Sequence, residues 1–151
     1  MIILISIILS FLFVLYFTTM SPDSKLSKQA IDRIYENSKI KKILDVEHYH
    51  GEKSYRVIEA ETANQSGYFF VPDETSEEII FVNKEEGITR QNAKEIILKE
   101  KKDIEILDIR LAIDRKKPLW EIVFKEKNGQ RTFFYITYKS GEFYKRLTIS
   151  N

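Results

Sequence analysis

The feature that most constrains this chain is an alternation of apolar and polar residues that occurs in two separate segments. Residues 54–82 and residues 119–147 each alternate over short stretches, and turn sequences such as Asn128-Gly129 separate the stretches. Alternation with a period of two sets successive side chains on opposite faces of a β-strand, and Asn-Gly favours a hairpin turn. Both segments are therefore predicted to fold as antiparallel β-meanders.

A helical pattern precedes each meander. Between residues 25 and 42, apolar side chains recur at spacings that place them on one face of a helix, and Ser24 is the expected N-cap. A second helix is predicted after Thr89, which is expected to cap it. A helix followed by an antiparallel meander, used twice, predicts an α+β fold.

The two halves are predicted to be copies of one unit. An offset of 65 residues pairs Tyr55 with Trp120 and aligns the aromatic strands of the two meanders. The predicted units are residues 24–83 and residues 85–151. A lone unit of about 60 residues buries little surface and is marginally stable, so the two units are expected to pack on one another.

The first 20 residues contain no charged side chain. As a helix they would span about 30 Å, which matches the apolar core of a bilayer. They lack the basic start and the small-x-small cleavage site of a signal peptide, and few soluble helices are apolar on every face. Residues 1–20 are therefore predicted to be an uncleaved transmembrane anchor, and Pro22 is expected to end that helix.

Composition argues against several classes of function. Lys and Arg number 24 and Asp and Glu number 23, a balance that argues against nucleic acid as a partner. The chain contains no cysteine, which excludes disulfides and thiol chemistry. The five glycines all fall at predicted turns, so backbone geometry accounts for them and no cofactor is predicted.

His48 and His50 are the strongest candidates for metal chemistry. They are the only histidines of the chain, and residues i and i+2 of a strand share a face, so the pair could offer two imidazoles to one metal ion. The alternative interpretation is two polar residues at a solvated strand end, and it is preferred because no further ligand is fixed nearby. No metal site and no catalytic residue are therefore predicted.

Four stretches carry a resemblance to a known family. They include a Leu-Trp-Glu strand start followed by Asn-Gly and a Ser-Gly-Glu hairpin, and they span residues 67–82, 85–97, 119–130 and 138–149. On these residues the chain resembles the TseB-like (YpmB) family of Gram-positive bacteria, whose soluble part is similar to paired PepSY-like or cystatin-like domains. The resemblance implies a regulator of cell wall elongation that binds a class B penicillin-binding protein, which is a membrane peptidoglycan transpeptidase.

The expected orientation of the anchor rests on this resemblance. Lys25, Lys28 and Arg33 follow the apolar run, and the positive-inside rule taken alone would keep the C-terminal part in the cytosol. The resemblance implies instead a single-pass protein of the cell membrane whose soluble part is extracytoplasmic.

The predicted function is that of a membrane-anchored, non-enzymatic binding module without a small-molecule substrate. A PepSY-type peptidase inhibitor or chaperone-like module at the cell surface is the alternative, and an unrecognised enzyme is the third class. Contact with the partner is expected on an aromatic sheet surface, because a tyrosine can stay partly exposed and still anchor a partner. The candidates are Tyr68, Tyr135 and Tyr144.

Overall fold

The computed structural model of the protein describes residues 22–149. The transmembrane anchor predicted for residues 1–20 lies outside the described residues. Among the helices of the described part, none combines the length and the apolar character that crossing a membrane requires.

The first unit is a helix followed by a four-stranded antiparallel meander. Its elements are α1 (Pro22–Asn37), β1 (Ile40–His50), β2 (Ser54–Thr62), β3 (Ser66–Pro72) and β4 (Ile80–Asn83). The strands pair in chain order, β1-β2-β3-β4, as alternating strands joined by short connections are expected to do.

The second unit repeats this arrangement. A short 3₁₀ helix (Lys84–Glu86) leads to α2 (Arg90–Glu100), β5 (Glu105–Asp114), β6 (Lys117–Lys125), β7 (Arg131–Thr137) and β8 (Phe143–Ile149). Its strands also pair in chain order, β5-β6-β7-β8. Two antiparallel sheets with accompanying helices confirm the predicted α+β class.

The two helices begin differently. Thr89 caps α2 as predicted, because its hydroxyl accepts the Asn92 backbone N–H at 3.1 Å and the Asn92 side chain accepts the Thr89 N–H at 3.0 Å. The predicted cap at Ser24 is wrong, since α1 already begins at Pro22 and Ser24 lies inside it. Proline suits the first turn of a helix, where a backbone N–H would have no intrahelical partner.

Each face of the first sheet buries a separate apolar cluster. One face packs on α1, and that cluster consists of Ala30, Ile34, Ile58, Ala60, Phe69 and Val71. The other face contributes Tyr49, Tyr55, Val57 and Phe70 to a larger core that continues through the second unit. The two units therefore share one core, which confirms that they pack on one another.

The register of the strands corrects one predicted equivalence. Val71 of β3 pairs with Arg56, and Ile136 of β7 pairs with Trp120. Strands β3 and β7 have seven residues each and begin at residues 66 and 131, so Val71 and Ile136 are equivalent. The counterpart of Trp120 is therefore Arg56, and the predicted counterpart Tyr55 is wrong.

The difference arises in the hairpin loops. Residues 62–65 join the last paired residues of β2 and β3, whereas residues 126–130 join those of β6 and β7, so the second loop is one residue longer. A shift of one residue moves every side chain of a strand to the other face of the sheet. Tyr55 accordingly packs in the core shared with the second unit, whereas Arg56 reaches α1.

Gly67 lies inside β3, so the turn expected there is wrong. It pairs with Asn83 of β4, and a Cβ atom at this position would lie 2.3 Å from the carbonyl oxygen of Val82. The close approach of the two backbones explains the glycine. Gly129, by contrast, has a φ of 85° and forms the predicted hairpin turn between β6 and β7.

Candidate interaction surfaces

The structure separates the three candidate tyrosines. Tyr68 and Tyr144 are half-buried, whereas Tyr135 has 6% of its surface exposed. Tyr68 meets Tyr138 of the second unit, and Tyr144 lies in β8 at the outer edge of the second sheet. Tyr135 lacks the partial exposure on which its selection depended, and the three candidates do not share one surface.

Tyr135 is part of a buried polar network. Its hydroxyl donates to Oε2 of Glu121 at 2.5 Å, and the Arg110 guanidinium donates to Oε1 of Glu121 at 2.6–2.7 Å. Glu121 has 2% of its surface exposed, so these bonds compensate a buried charge that would otherwise destabilise the fold. No feature of an alternating strand marks such a glutamate, and the sequence pattern did not identify it.

Burial keeps the tyrosines around Glu121 protonated. Burial, and then the hydrogen bond to Glu121, raise the pKa of Tyr135 well above its usual range. Burial raises the pKa of Tyr49, from the first unit, to about 12, and the negative charge of Glu121 adds to the shift. At neutral pH this network therefore holds its protons and supports the packing between the units.

A cleft of about 340 Å³ lies where the two units meet. Tyr68 and Tyr138 meet edge to face in it, with ring centroids 6.1 Å apart, and the Tyr138 hydroxyl donates to the carbonyl oxygen of Asn83 at 3.0 Å. An ion pair of 2.6 Å between Arg90 and Glu47 also joins the units. The cleft is thus a joint that side chains of both units line and bridge.

A charged cluster joins α1 to the first sheet. Arg56 is buried, and its guanidinium donates to the carboxylates of Asp23 in α1 and of Asp73 beyond β3, the latter at 3.2 Å. His48 lies beside both acids, with Nδ1 3.2 Å from Asp23 Oδ1 and Nε2 3.8 Å from Asp73 Oδ2. The strand pattern gave no sign that Arg56 would be buried.

The two histidines lie side by side at this cluster. Their ring centroids are 3.8 Å apart, and Nδ1 of His50 is hydrogen-bonded to the Ser54 hydroxyl at 2.8 Å. Burial, and then the positive charge of Arg56, lower the pKa of His48 below its ordinary value of 6.5, so its imidazole is neutral at pH 7. Within residues 22–149, no three histidine or acidic side chains are placed to hold a metal ion together.

A groove of about 540 Å³ runs beside the outer strand of the second sheet. It is lined by Phe133 and Tyr135 of β7, by Leu147 and Ile149 of β8, by Glu52 in the β1–β2 turn, and by the ion pairs Arg110–Glu121 and Lys145–Asp114, and we call it the β8 groove. Leu147 and Ile149 are each 55% exposed. Apolar surface of this kind at the edge of a sheet is typical of contact sites.

The β8 groove was not predicted from the sequence. The apolar residues of β8 follow the same alternation as those of the inner strands, so the pattern alone does not show that they are exposed. The signal that could have revealed the exposure is the place of β8 in the chain. As the last strand of a meander, β8 has a neighbouring strand on one side in chain order.

These features define a class of protein: an α+β module of two helix-plus-meander units that share a core. Its buried charges are paired within the fold, and an apolar outer strand is exposed. A family model described as "Cell wall elongation regulator TseB-like domain" matches residues 29–72, which extend from α1 to the end of β3.

Two known proteins are similar to this chain. "Probable cell wall elongation regulator TseB" of Bacillus subtilis (strain 168) is 27% identical over 104 residues, which cover 68% of this chain and 65% of the relative. This chain therefore matches less than two thirds of that relative's length. The solved "YpmB protein from Bacillus subtilis" has a TM-score of 0.75 at 24% identity, covering 81% of this chain and 96% of that chain, and shows the fold.

The family model, the sequence relative and the solved structure agree with one another. They support the TseB/YpmB family that the resemblance of the sequence predicted.

Proposed function

We propose that this protein is a membrane-anchored, non-enzymatic regulator of cell wall elongation that acts outside the cytoplasm by binding a class B penicillin-binding protein. The observation that carries the proposal is the match of the TseB-like family model to α1–β3. The similarity to a probable cell wall elongation regulator of Bacillus subtilis supports the same function.

The surroundings of the buried charges support contact rather than catalysis. Glu121 is bound by Tyr135 and Arg110, and Arg56 is bound by two aspartates, so each charge is used to hold the fold together. A general acid or base needs a group that exchanges its proton near the working pH. The raised pKa of Tyr135 and the lowered pKa of His48 both move these groups away from that condition.

Anchoring would strengthen a weak contact. The charge-free residues 1–20 end two residues before α1 begins, so the folded part would lie close to the bilayer surface. Confinement to the plane of the membrane raises the effective concentration of the module toward another membrane protein. Regulation would then follow from a change in the conformation or occupancy of that partner.

The orientation can be tested with one cysteine, because the chain contains none. Lys139→Cys places a thiol on the exposed turn between β7 and β8. In intact cells this thiol is expected to react with a maleimide that does not cross membranes. If the thiol reacts only after the cells are lysed, the folded part lies in the cytosol and the proposal is contradicted.

Binding can be tested with the full chain and a purified class B penicillin-binding protein in lipid nanodiscs. A saturable complex is expected, and it should weaken when residues 1–20 are removed, because the effective concentration then falls. A chain carrying an unrelated transmembrane segment is the control and should bind like the natural chain. Failure to bind any class B penicillin-binding protein, or inhibition of a peptidase by the same preparation, would favour the PepSY-type alternative.

A further inference from the structure

Strand β8 exposes an edge with which no other strand of residues 22–149 pairs. Within residues 22–149, β8 pairs with β7 on one side, and no described strand pairs with its other side. An unpaired edge presents backbone N–H and C=O groups that can bind an additional strand. Phe143, Leu147 and Ile149 of β8 are each more than half exposed, so apolar side chains accompany the open backbone.

The equivalent edge of the first sheet is protected. Strand β4 has four residues, all of them half-buried, and Ile80 and Val82 pack against the shared core. The outer strand β5 of the second sheet carries a register shift between Ile106 and Asp108, and the apolar side chains of the regular part that follows, Ile109, Leu111, Ala112 and Ile113, are buried, so that edge offers no exposed apolar side chains there. In β8 the register shift lies near the start, at Tyr144, and the pairing is regular from there to the last strand residue.

The β8 groove lies directly beside this edge. Leu147 and Ile149 belong both to the exposed edge strand and to the groove, and Phe133 continues the apolar lining on β7. Alternate side chains of an added strand point to the same face of the sheet. Every second side chain of such a strand would therefore enter the groove while its backbone pairs with β8.

The charges of β8 argue against a second copy of this chain as the added strand. Arg146 is the central residue of Phe143–Ile149, so antiparallel pairing over the whole strand would set Arg146 opposite Arg146 of the second copy. Like charges directly opposite one another destabilise a strand pair. An occupant with a carboxylate at this position, flanked by apolar side chains, complements the exposed arginine and its apolar neighbours instead.

We propose that β8 and the β8 groove bind an extended acidic–apolar segment of the class B penicillin-binding protein, which adds to the second sheet as a further strand. This inference rests on the proposed function, since it names the surface through which that function would act. The backbone of β8 supplies affinity, the groove selects apolar side chains, and Arg146 selects a carboxylate.

The experiment measures binding of the full-length chain and of three variants to the purified class B penicillin-binding protein in nanodiscs. Leu147→Asp and Arg146→Glu are expected to weaken binding about tenfold or more, which is the size of a hot-spot effect. Leu98→Asp is the matched control, because Leu98 is a similarly exposed leucine on α2 and its variant should bind normally. Thermal melts confirm that each variant is folded. Hydrogen exchange of the natural chain should show protection of β8 amides in the complex.

Each outcome separates the two proposals. Normal binding by Leu147→Asp and Arg146→Glu, or a complex without new protection in β8, overturns the docking site and leaves the proposed function standing. Absence of any complex with the natural chain overturns the proposed function itself. Sedimentation that shows dimers of this chain alone, with β8 protection that rises with its concentration, overturns the inference in favour of a second copy.

Discussion

Arg56 and Trp120 occupy equivalent positions in the two units, and each ties its sheet to the start of its own unit's helix. The Arg56 guanidinium donates to the carboxylate of Asp23 in the first turn of α1. The Trp120 indole N–H donates at 3.0 Å to the carbonyl oxygen of Ile88, two residues before α2. The same structural task is performed by an ion pair in one unit and by a neutral hydrogen bond in the other.

Trp120→Phe should remove the hydrogen bond while keeping most of the packing. We expect the free energy of unfolding to fall by about 1 kcal/mol, the usual contribution of one hydrogen bond. Trp120→Ala is the comparison and should cost roughly 3–5 kcal/mol, because it also leaves a cavity in the core. Unfolding in urea is followed by circular dichroism, because both variants lack the only tryptophan and so lose the fluorescence signal. Unchanged stability of Trp120→Phe would contradict the assigned role of the bond.

Arg110→Met should leave the buried carboxylate of Glu121 without its cation. Breaking a buried pair from one side typically costs about 3–5 kcal/mol, and partial exposure of Arg110 places the expected loss near the lower end. Replacing both partners, as Arg110→Met with Glu121→Met, should recover much of that loss because no unpaired charge remains. Denaturant unfolding of the single and double variants checks this. A double variant less stable than Arg110→Met alone would contradict it.

Local signals predicted the elements of this fold. The turn at Asn128-Gly129 and the cap at Thr89 depend on the conformations of a few neighbouring residues, so the sequence of those residues suffices to predict them. The alternating strands follow for the same reason, since a period of two places side chains on two faces in any sheet.

Register was harder to predict, because it depends on loop lengths. The first and second hairpins differ by one residue, and the buried counterparts Ile34 and Ile97 of the two helices are separated by 63 residues rather than 65. A constant offset therefore matched Tyr55 with Trp120, two residues of similar type on opposite faces.

Burial depended on contacts between the units. Glu121 shares its face of β6 with Leu119 and Val123, and a single charged residue on such a face does not show whether the face is buried. Here packing on the first unit covers it, so Glu121 and Tyr135 are buried together. The predicted exposure of Tyr135 was wrong for this reason. The exposed apolar residues of β8 were missed because the strand pattern does not show which strands the other unit leaves uncovered.

Lys116→Gly should stabilise the protein. Arg115 and Lys116 form the two-residue turn between β5 and β6 with φ values of 48° and 63°, a region that L-residues occupy at a cost. Glycine at this position should raise the free energy of unfolding by about 1 kcal/mol. The exposed ion pair of Lys116 with Glu78, at 3.3 Å, contributes little against this gain.

The control for this change is Lys125→Gly, at an exposed position of strand β6. The φ angle of Lys125 is that of a strand, so glycine at this position should lower the free energy of unfolding by about 0.5–1 kcal/mol. Thermal or urea unfolding of both variants measures the difference. Destabilisation by both changes would show that the turn is not strained.

His48→Gln should change how stability depends on pH. His48 faces Asp23 of α1, Asp73, Arg56 and His50, and burial followed by the Arg56 charge lowers its pKa below the ordinary 6.5. The folded state therefore binds this proton less readily than the unfolded state does. The stability that depends on neutral His48 is complete above pH 6.5 and declines as the pH falls from there toward the lowered pKa.

Unfolding free energies measured between pH 7.5 and pH 5 check this direction. The natural chain should lose stability across that range, and His48→Gln should lose less because glutamine does not titrate. The hydrogen bond from Arg56 lowers the pKa of Asp23 below its ordinary value of 3.8. The whole pH range therefore lies above this pKa, and Asp23 stays charged throughout. His50→Gln is the matched control and should retain the decline. A natural chain that gains stability toward pH 5 would mean that Asp23 and Asp73 stabilise the His48 cation more than burial and Arg56 destabilise it.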